Sequence, residues 1–290
     1  MADGEELTAR MTPNEGQAHD WAVVLSAAGV PCRVDPRAEG WALVVSVRDA
    51  TRAADALAAY ESDAPPPPIP DTFEYGPTRA GFFIAALLLA FRPFTGYRIG
   101  ASPAFLAGEA NAGAIVSGQV WRTVTALTLH ADPTHLLGNV VAMALLATAV
   151  CRLLGPGLGG MLILVAGAGG NLLNAYLRTG THTSVGASTA VFGAVGILAG
   201  LAIMRSGGAG RRPWVPFAAG LALLGLLGTG EHADLAAHFF GFQIGIGLGL
   251  AVAVMQGDPP GRRVQQWLGG AALATVAGAW LLALGTIPRR

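Results

Sequence analysis

The chain has 290 residues, of which 52% are hydrophobic and only 12% are charged, and its net charge is zero. Soluble domains usually carry about 25% charged residues, so the chain as a whole does not have the composition of a soluble protein. Zero net charge is not typical of a nucleic-acid-binding protein, and two cysteines, Cys32 and Cys151, do not form a disulfide framework or a metal site.

The first 63 residues carry ordinary soluble charge and predict a small α+β domain. The predicted elements are a helix over 14–28, short strands at Cys32–Val34 and Trp41–Val47, and a helix that Asp49 caps and that runs to about Tyr60. The acidic first ten residues lack an apolar run, which is not typical of a secretory signal peptide.

A proline-rich linker is predicted over 64–78, because four consecutive prolines force an extended chain. Apolar segments follow, most of them near the ~20 residues that cross the hydrocarbon core. They lie near 79–98, 133–153, 158–178, 187–205, 213–230, 233–255 and 265–286. We therefore predict an all-α polytopic bundle, with a six-helix core over 79–255 and a seventh helix and tail over 256–290. The polar, glycine-rich stretch 99–132 is predicted to be a long, partly structured loop.

The arginines near the helix ends favour one orientation of this bundle, since basic residues concentrate on the cytoplasmic side. With the N-terminal domain in the cytoplasm, Arg79, Arg152, Arg205, Arg211, Arg212, Arg262 and Arg263 face inward. Arg98, Arg122, Arg178, Arg289 and Arg290 then face outward. The imbalance predicts a multi-pass membrane protein with its N-terminus inside.

A few polar side chains within the apolar segments are candidate functional residues, because such groups are costly in lipid. His135 and Asn139 share one face of the second segment, Ser188 begins the fourth, and His238 lies early in the sixth. These three segments run in the same direction, so all four side chains are predicted at the same membrane depth, toward the outer face. Each residue alone has a simpler structural interpretation as a packed or self-bonded side chain.

Glycines follow Ser188 and His238 at helical spacing and let helix backbones approach closely in lipid. The stripes contain Gly196 and Gly200 after Ser188, and Gly241, Gly245 and Gly249 after His238. Their packing would bring the serine hydroxyl to the imidazole, a pair sufficient for nucleophilic catalysis. Asn139, His135 and the Ser188 backbone N–H are candidate donors to an oxyanion. Asp234 is interpreted as a first-turn acid or as an orienting third member, and His130 and His182 are expected to face water.

Several short motifs in this order resemble those of the rhomboid family of intramembrane serine proteases. They are Trp121-Arg122 in the long loop, His130-x4-His135-x3-Asn139, Gly170-Asn171, Gly186-Ala187-Ser188, and Ala237-His238-x2-Gly241-x3-Gly245. The resemblance covers roughly residues 80–255, and the joint order of the motifs is more specific than any one of them.

The resemblance implies Ser188 as nucleophile, His238 as base, and His135 with Asn139 at the oxyanion site. Phe192 would pack beneath the His238 ring. The implied partners are the bilayer and transmembrane segments of substrate proteins in a bacterial plasma membrane, with no nucleic acid and no metal or organic cofactor. Thr189 stands where the family usually has glycine, and its bulk beside the site can lengthen the Ser–His distance.

Two alternative functions stay open from the sequence. The first is a weak or inactive rhomboid-like protein that binds membrane clients, which Thr189 favours. The second is a channel or transporter, for which an acidic residue deep in the bundle or an inverted repeat is expected. Neither of these features is present in the sequence.

Overall fold

The structure is a computed structural model that describes residues 5–63, 74–178, 180–205, 214–215, 218, 220–222, 234–255 and 259–288. The chain divides into two compact units, Met1–Pro68 and Ile69–Arg290. The proline run and most of the predicted segment 213–230 lie outside the described residues.

The first unit is a three-stranded antiparallel sheet with two helices. In chain order its elements are β1 (Glu6–Thr12), α1 (Glu15–Ala27), β2 (Cys32–Arg37), β3 (Gly40–Ser46), a 3-10 helix (Val47–Asp49) and α2 (Ala50–Asp63). The central strand is β3, which pairs with both of the others. The core consists of Trp21, Leu25, Val30, Leu43, Val45, Ala53 and Leu57.

Two details of this unit differ from the sequence prediction. β1 was not predicted, because its alternating apolar residues are few and all but Thr12 stay partly or fully exposed. Asp49 does not begin the last helix as its cap; it ends the 3-10 helix and its carboxylate lies 3.3 Å from Arg52 Nη1. Ser46 instead accepts a hydrogen bond from the Arg48 N–H at the start of that 3-10 helix.

The second unit is helical. Its elements are α3 (Ala80–Thr95), α4 (Pro103–Gly108), β4 (Ala110–Asn111), α5 (Ala112–Val116), α6 (Arg122–Thr125), a 3-10 helix (Ala126–Thr128), α7 (Pro133–Leu154), α8 (Pro156–Leu177), β5 (Thr183–Ser184), α9 (Ser188–Arg205), α10 (Leu235–Val254) and α11 (Arg262–Gly285). The short elements α4 to α6 fall within the predicted long loop.

Four of the described helices, α7, α8, α10 and α11, are long and apolar enough to cross a membrane. The shorter apolar helices are Ala80–Thr95 and Ser188–Met204. The described part of the chain therefore has the all-α polytopic architecture that the sequence predicts. Pro93 does not end α3, which continues to Thr95.

Local signals in the sequence explain where these helices begin. Asp132 caps α7 by accepting the His135 N–H at 2.8 Å, and Pro133 occupies the first turn, where its missing N–H costs nothing. Gly155 separates α7 from α8 with a positive φ of 88°, a conformation that glycine adopts without strain. Asp234 caps α10 through the Ala237 N–H.

The buried Gln265 side chain links α11 to the turn between α7 and α8. Its Oε1 accepts the N–H groups of Gly157 and Leu158 at 2.8 and 2.9 Å, and its Nε2 donates to the carbonyls of Leu154 and Pro260. These bonds satisfy backbone groups that the two helix ends leave without intrahelical partners. The Gln265 amide thus joins the C-terminus of α7 to the N-termini of α8 and α11.

Replacing Gln265 with leucine is expected to lower the free energy of unfolding by about 3 kcal/mol, because buried backbone groups would lose their partners. Thermal unfolding of the purified protein in detergent measures this effect. Gln266→Leu is the matched control, because Gln266 is exposed. Equal midpoints for the two variants would contradict this role of Gln265.

Candidate functional site

Two polar side chains meet between α9 and α10. Ser188 is the first residue of α9, and His238 lies one turn into α10. The distance from Ser188 Oγ to His238 Nε2 is 2.7 Å, a hydrogen bond. His238 is only 3% exposed, whereas Ser188 is half-buried. A serine hydroxyl bonded to an imidazole nitrogen is the arrangement that serine nucleophiles use.

The backbones of α9 and α10 are in close contact because glycines of each helix face carbonyls of the other. On α10, a Cβ at Gly241 or Gly245 would collide with the carbonyl oxygen of Thr189 or Gly193. On α9, a Cβ at Gly196 would collide with the Phe242 carbonyl oxygen. The two glycine stripes therefore interdigitate, and this spacing brings Ser188 to His238.

An aromatic ring packs against the imidazole from the Ser188 helix. Phe192 lies one turn after Ser188, and its ring centroid is 4.9 Å from that of His238, with 31° between the ring planes. Both rings are buried. Phe192 thus restricts the orientation in which the His238 ring approaches the serine.

A small space bordered by Gly186 lies beside the Ser188 hydroxyl. Gly186 has a positive φ of 131°, and a Cβ there would lie 2.7 Å from His135 Nε2 and 3.3 Å from Ser188 Oγ. His135 Nδ1 accepts the Ala131 N–H at 3.4 Å. The neutral ring then carries its proton on Nε2, which makes this nitrogen a donor next to the serine.

Asn139 also lies on the α7 face that carries His135 and is buried at 5% exposure. Its Nδ2 donates one hydrogen bond to the His135 carbonyl at 2.9 Å. A side-chain amide has two N–H groups, so a second hydrogen of this nitrogen is available to another acceptor.

Thr189 does not separate the pair, because the Ser–His distance is 2.7 Å with threonine in place. The Thr189 side chain is 2% exposed. Its methyl group lies 2.7 Å from the position of a Cβ at Gly170 on α8 and 3.0 Å from that of a Cβ at Gly241 on α10. The threonine therefore fills a contact among α8, α9 and α10.

Arg122 organises the long loop beside the site. Its guanidinium donates to the carbonyls of Leu106 and Glu109, each at 2.9 Å, and to Gln119 Oε1 at 2.7 Å. Burial lowers the pKa of Arg122, and the nearby Glu109 carboxylate opposes that shift. The preceding Trp121 packs with its indole N–H buried and without a partner among the described residues.

Further bonds tie this loop to the rest of the helical unit. Asn171 of α8 donates to the Thr123 carbonyl at 2.9 Å. The indole N–H of Trp280, on α11, donates to the Thr128 hydroxyl at 3.1 Å. The Gly186 N–H donates to the Ala126 carbonyl at 3.0 Å. The turn before Ser188 is thus held against the loop 99–132, which the sequence predicted to be only partly structured.

The Asp234 carboxylate is a structural link. Its Oδ2 lies 2.6 Å from Asn174 Nδ2 and 2.7 Å from His182 Nε2, and its Oδ1 accepts the Ala237 N–H. Although burial alone would raise the pKa of this carboxyl, these hydrogen bonds and the His182 ring lower it. Asp234 therefore holds the end of α8 and the following loop against the start of α10, where its backbone carbonyl accepts the His238 N–H at 3.0 Å.

One of the two histidines that were expected to face water is buried. The prediction is wrong for His130, which is only 4% exposed, whereas the His182 side chain bonds Asp234 and stays 30% exposed. Burial and the neighbouring His135 ring lower the pKa of His130 to about 3, so its ring is neutral at physiological pH. Asn174 and Gln265 were not singled out, although a polar residue in an apolar segment is a usable signal.

The described elements define a helical membrane protein with a hydrogen-bonded Ser–His pair at one end of its bundle. Residues 117–254 match the family model described as "Rhomboid domain". The chain is 32% identical over 130 residues to the candidate rhomboid protease YdcA of Bacillus subtilis (44% of this chain, 64% of YdcA). It is 36% identical over 84 residues to the Rhomboid protease GluP of the same organism (29% of this chain, 16% of GluP).

A plant relative also matches. The chain is 31% identical over 147 residues to RHOMBOID-like protein 1 of Arabidopsis thaliana, covering 47% of this chain and 35% of that protein. The domain match and these relatives support membership of the rhomboid family, and together with the long apolar helices they support an integral membrane protein. It spans less than two thirds of the length of each of these relatives.

Proposed function

We propose that this protein is an intramembrane serine endopeptidase that cleaves peptide bonds in or next to transmembrane segments of other membrane proteins. The 2.7 Å contact between Ser188 Oγ and His238 Nε2 carries this proposal. It is supported by the family and by relatives that are named rhomboid proteases. The proposal also assigns Ser188 and His238 as the catalytic dyad and transmembrane segments as the substrate class.

In the proposed reaction, His238 Nε2 removes the hydroxyl proton as Ser188 Oγ attacks the carbonyl carbon of the scissile bond. The tetrahedral intermediate collapses when Nε2 returns that proton to the departing amine nitrogen. Water, deprotonated by the same nitrogen, then hydrolyses the acyl-enzyme ester and restores the serine. Phe192 supports the reaction by limiting the tilt of the imidazole.

The oxyanion of the intermediate would be stabilised by donors on α7 and at the start of α9. These are the His135 Nε2–H, the remaining amide hydrogen of Asn139, and the backbone N–H of Ser188 at the start of α9. A helix N-terminus adds partial positive charge. Donors fixed in a buried site stabilise developing charge strongly, because they need little reorganisation.

A helical substrate segment must unwind locally before it can react, since its amide bonds are hydrogen-bonded within the helix. Residues that weaken helices should therefore favour cleavage. The arginine distribution supports a plasma-membrane orientation with the N-terminal domain in the cytoplasm and Ser188 near the outer face. The domain divisions at 1–63, 64–78, 79–255 and 256–290 belong to the same proposal.

An alkyl fluorophosphonate, which reacts with activated serine hydroxyls, tests the Ser–His pair without a known substrate. We expect labelling of the purified protein at Ser188, and loss of at least about 100-fold in labelling rate for His238→Asn, because the general base is removed. Ser184→Ala is the matched control and should label normally. Equal labelling of wild type and His238→Asn would contradict the proposed base.

Replacing Gly186 with alanine is expected to reduce cleavage by at least about 100-fold, since removing one oxyanion donor costs about 10²–10³ in rate. The added methyl group would lie in the space between His135 Nε2 and Ser188 Oγ, at a positive φ that alanine tolerates poorly. The measurement is cleavage of a single-span substrate, with thermal unfolding to confirm folding. Gly138→Ala is the control, because a Cβ there meets no atom within 4 Å.

A further inference from the structure

An apolar cavity of about 610 Å³ lies between α3, α8 and α11, and neither Ser188 nor His238 lines it. Its walls are mainly aliphatic and aromatic side chains, among them Phe83, Leu87, Phe91, Ile163, Leu273 and Val276. α3 and α11 meet beyond it through Phe91 and Trp280, whose stacked ring centroids are 5.7 Å apart.

The size of the cavity excludes a transmembrane client helix as its occupant. A 20-residue helix about 30 Å long and about 10 Å across fills roughly 2,400 Å³, whereas the cavity holds about 610 Å³. This volume is that of a small-molecule site. An acyl chain is a thinner apolar rod than a helix and matches both the volume and the aliphatic walls.

One end of the cavity is basic. Arg262, at the start of α11, lines it. Arg263 follows on the same helix, Arg79 precedes α3, and Arg152 lies in the last turn of α7. Hydrogen bonds bring these helix ends together, since Tyr75 N–H donates to the Leu153 carbonyl and Gln265 joins α11 to the α7–α8 turn.

Among the described residues, the positive charge at this end of the cavity exceeds the negative charge. The one carboxylate that the described residues of the helical unit place at this end is that of Glu74, which pairs with Arg152 at 3.5 Å. The other acidic groups of that part of the chain, Glu109, Asp132 and Asp234, belong to the loop and to the Ser188 end. Three arginines, Arg79, Arg262 and Arg263, are exposed there, at or next to the first residues of α3 and α11.

We propose that this cavity binds an anionic phospholipid, with an acyl chain between α3, α8 and α11 and the phosphate at the arginines. Basic pockets between transmembrane helices are suited to anionic headgroups. The inner part of the cavity is lined by Ala187 and Ala190, so the chain reaches the wall directly behind Ser188. The lipid thereby supports the turn that carries the serine. The binding itself does not depend on proteolysis.

Native mass spectrometry of the purified, delipidated protein titrated with phosphatidylglycerol or phosphatidylcholine tests this proposal. Wild type should bind one phosphatidylglycerol more tightly than phosphatidylcholine. Gly160 lines the cavity, and a Cβ there meets no atom within 4 Å, so Gly160→Leu projects into the chain site. We expect Gly160→Leu to weaken binding of both lipids by at least about tenfold, because buried methylene contacts are lost.

A variant that lacks two of the arginines tests the phosphate part of the site separately from the acyl-chain part. Arg262→Gln with Arg263→Gln should remove the preference for phosphatidylglycerol, at about fivefold per arginine, while phosphatidylcholine still binds. Gly270→Leu is the matched control, because Gly270 lies on α11, is exposed and has no neighbour within 4 Å of its Cβ position. Equal binding by wild type and Gly160→Leu, or an unchanged preference in the arginine variant, would overturn the proposal.

Discussion

Ser188→Ala is expected to lower cleavage of a single-span membrane substrate by at least about 10³-fold, because removal of a serine nucleophile leaves only binding and oxyanion stabilisation. The variant should fold normally, since Ser188 is half-buried and alanine is smaller. The measurement is the rate of product formation by purified protein in liposomes. A variant that cleaves within tenfold of wild type would remove Ser188 from the mechanism.

Thr189→Gly belongs in the same experiment, because the sequence alone raises the possibility that Thr189 restrains activity. The side chain fills a contact with Gly170 and Gly241, and the Ser–His hydrogen bond is formed with Thr189 present. We therefore expect Thr189→Gly to be less stable by about 1 kcal/mol and to cleave no faster than wild type. A large gain in rate would instead identify Thr189 as an inhibitory residue. If wild type, Ser188→Ala and Thr189→Gly all bind a client membrane protein and none cleaves it, the alternative of an inactive, client-binding rhomboid-like protein would be favoured.

The second large effect is expected at the contact between α9 and α10. Gly245→Ala would place a methyl group against the Gly193 carbonyl, and 3.0 Å from the Ile197 backbone nitrogen. Backbone atoms cannot rotate away, so the helices must separate. We expect a loss of about 2 kcal/mol in stability. Cleavage should fall by about 100-fold, because small displacements of catalytic groups reduce rates strongly.

Gly247→Ala is the matched control for this substitution. Gly247 lies on the same helix, is exposed, and a Cβ there meets no atom within 4 Å. Alanine should be neutral or slightly stabilising at this position, because it has the higher helix propensity. Thermal unfolding and cleavage are measured for both variants. If Gly245→Ala and Gly247→Ala behave alike, the close approach of α9 and α10 does not position the Ser–His pair.

Much of the fold follows from composition and periodicity. Long apolar segments predict membrane helices because the hydrocarbon core sets their length, and α7, α8, α10 and α11 have that length and composition. The missed strand β1 has too few apolar residues to show a clear period of two. The α9–α10 contact was also predictable, since glycines at helical spacing identify the faces that approach closely.

The sequence by itself determined which residues are candidates for the site: a serine, two histidines and an asparagine at matching depth in helices that run in the same direction. Only the tertiary structure decided how side chains meet across helices, as when Asp234 bonds Asn174 and His182, and Thr189 faces Gly170. Helical periodicity specifies the face on which a residue lies but not the neighbour packed against that face. Those partners depend on the packing of all the helices together, as the bonds of Gln265 and the cavity beside α11 also do.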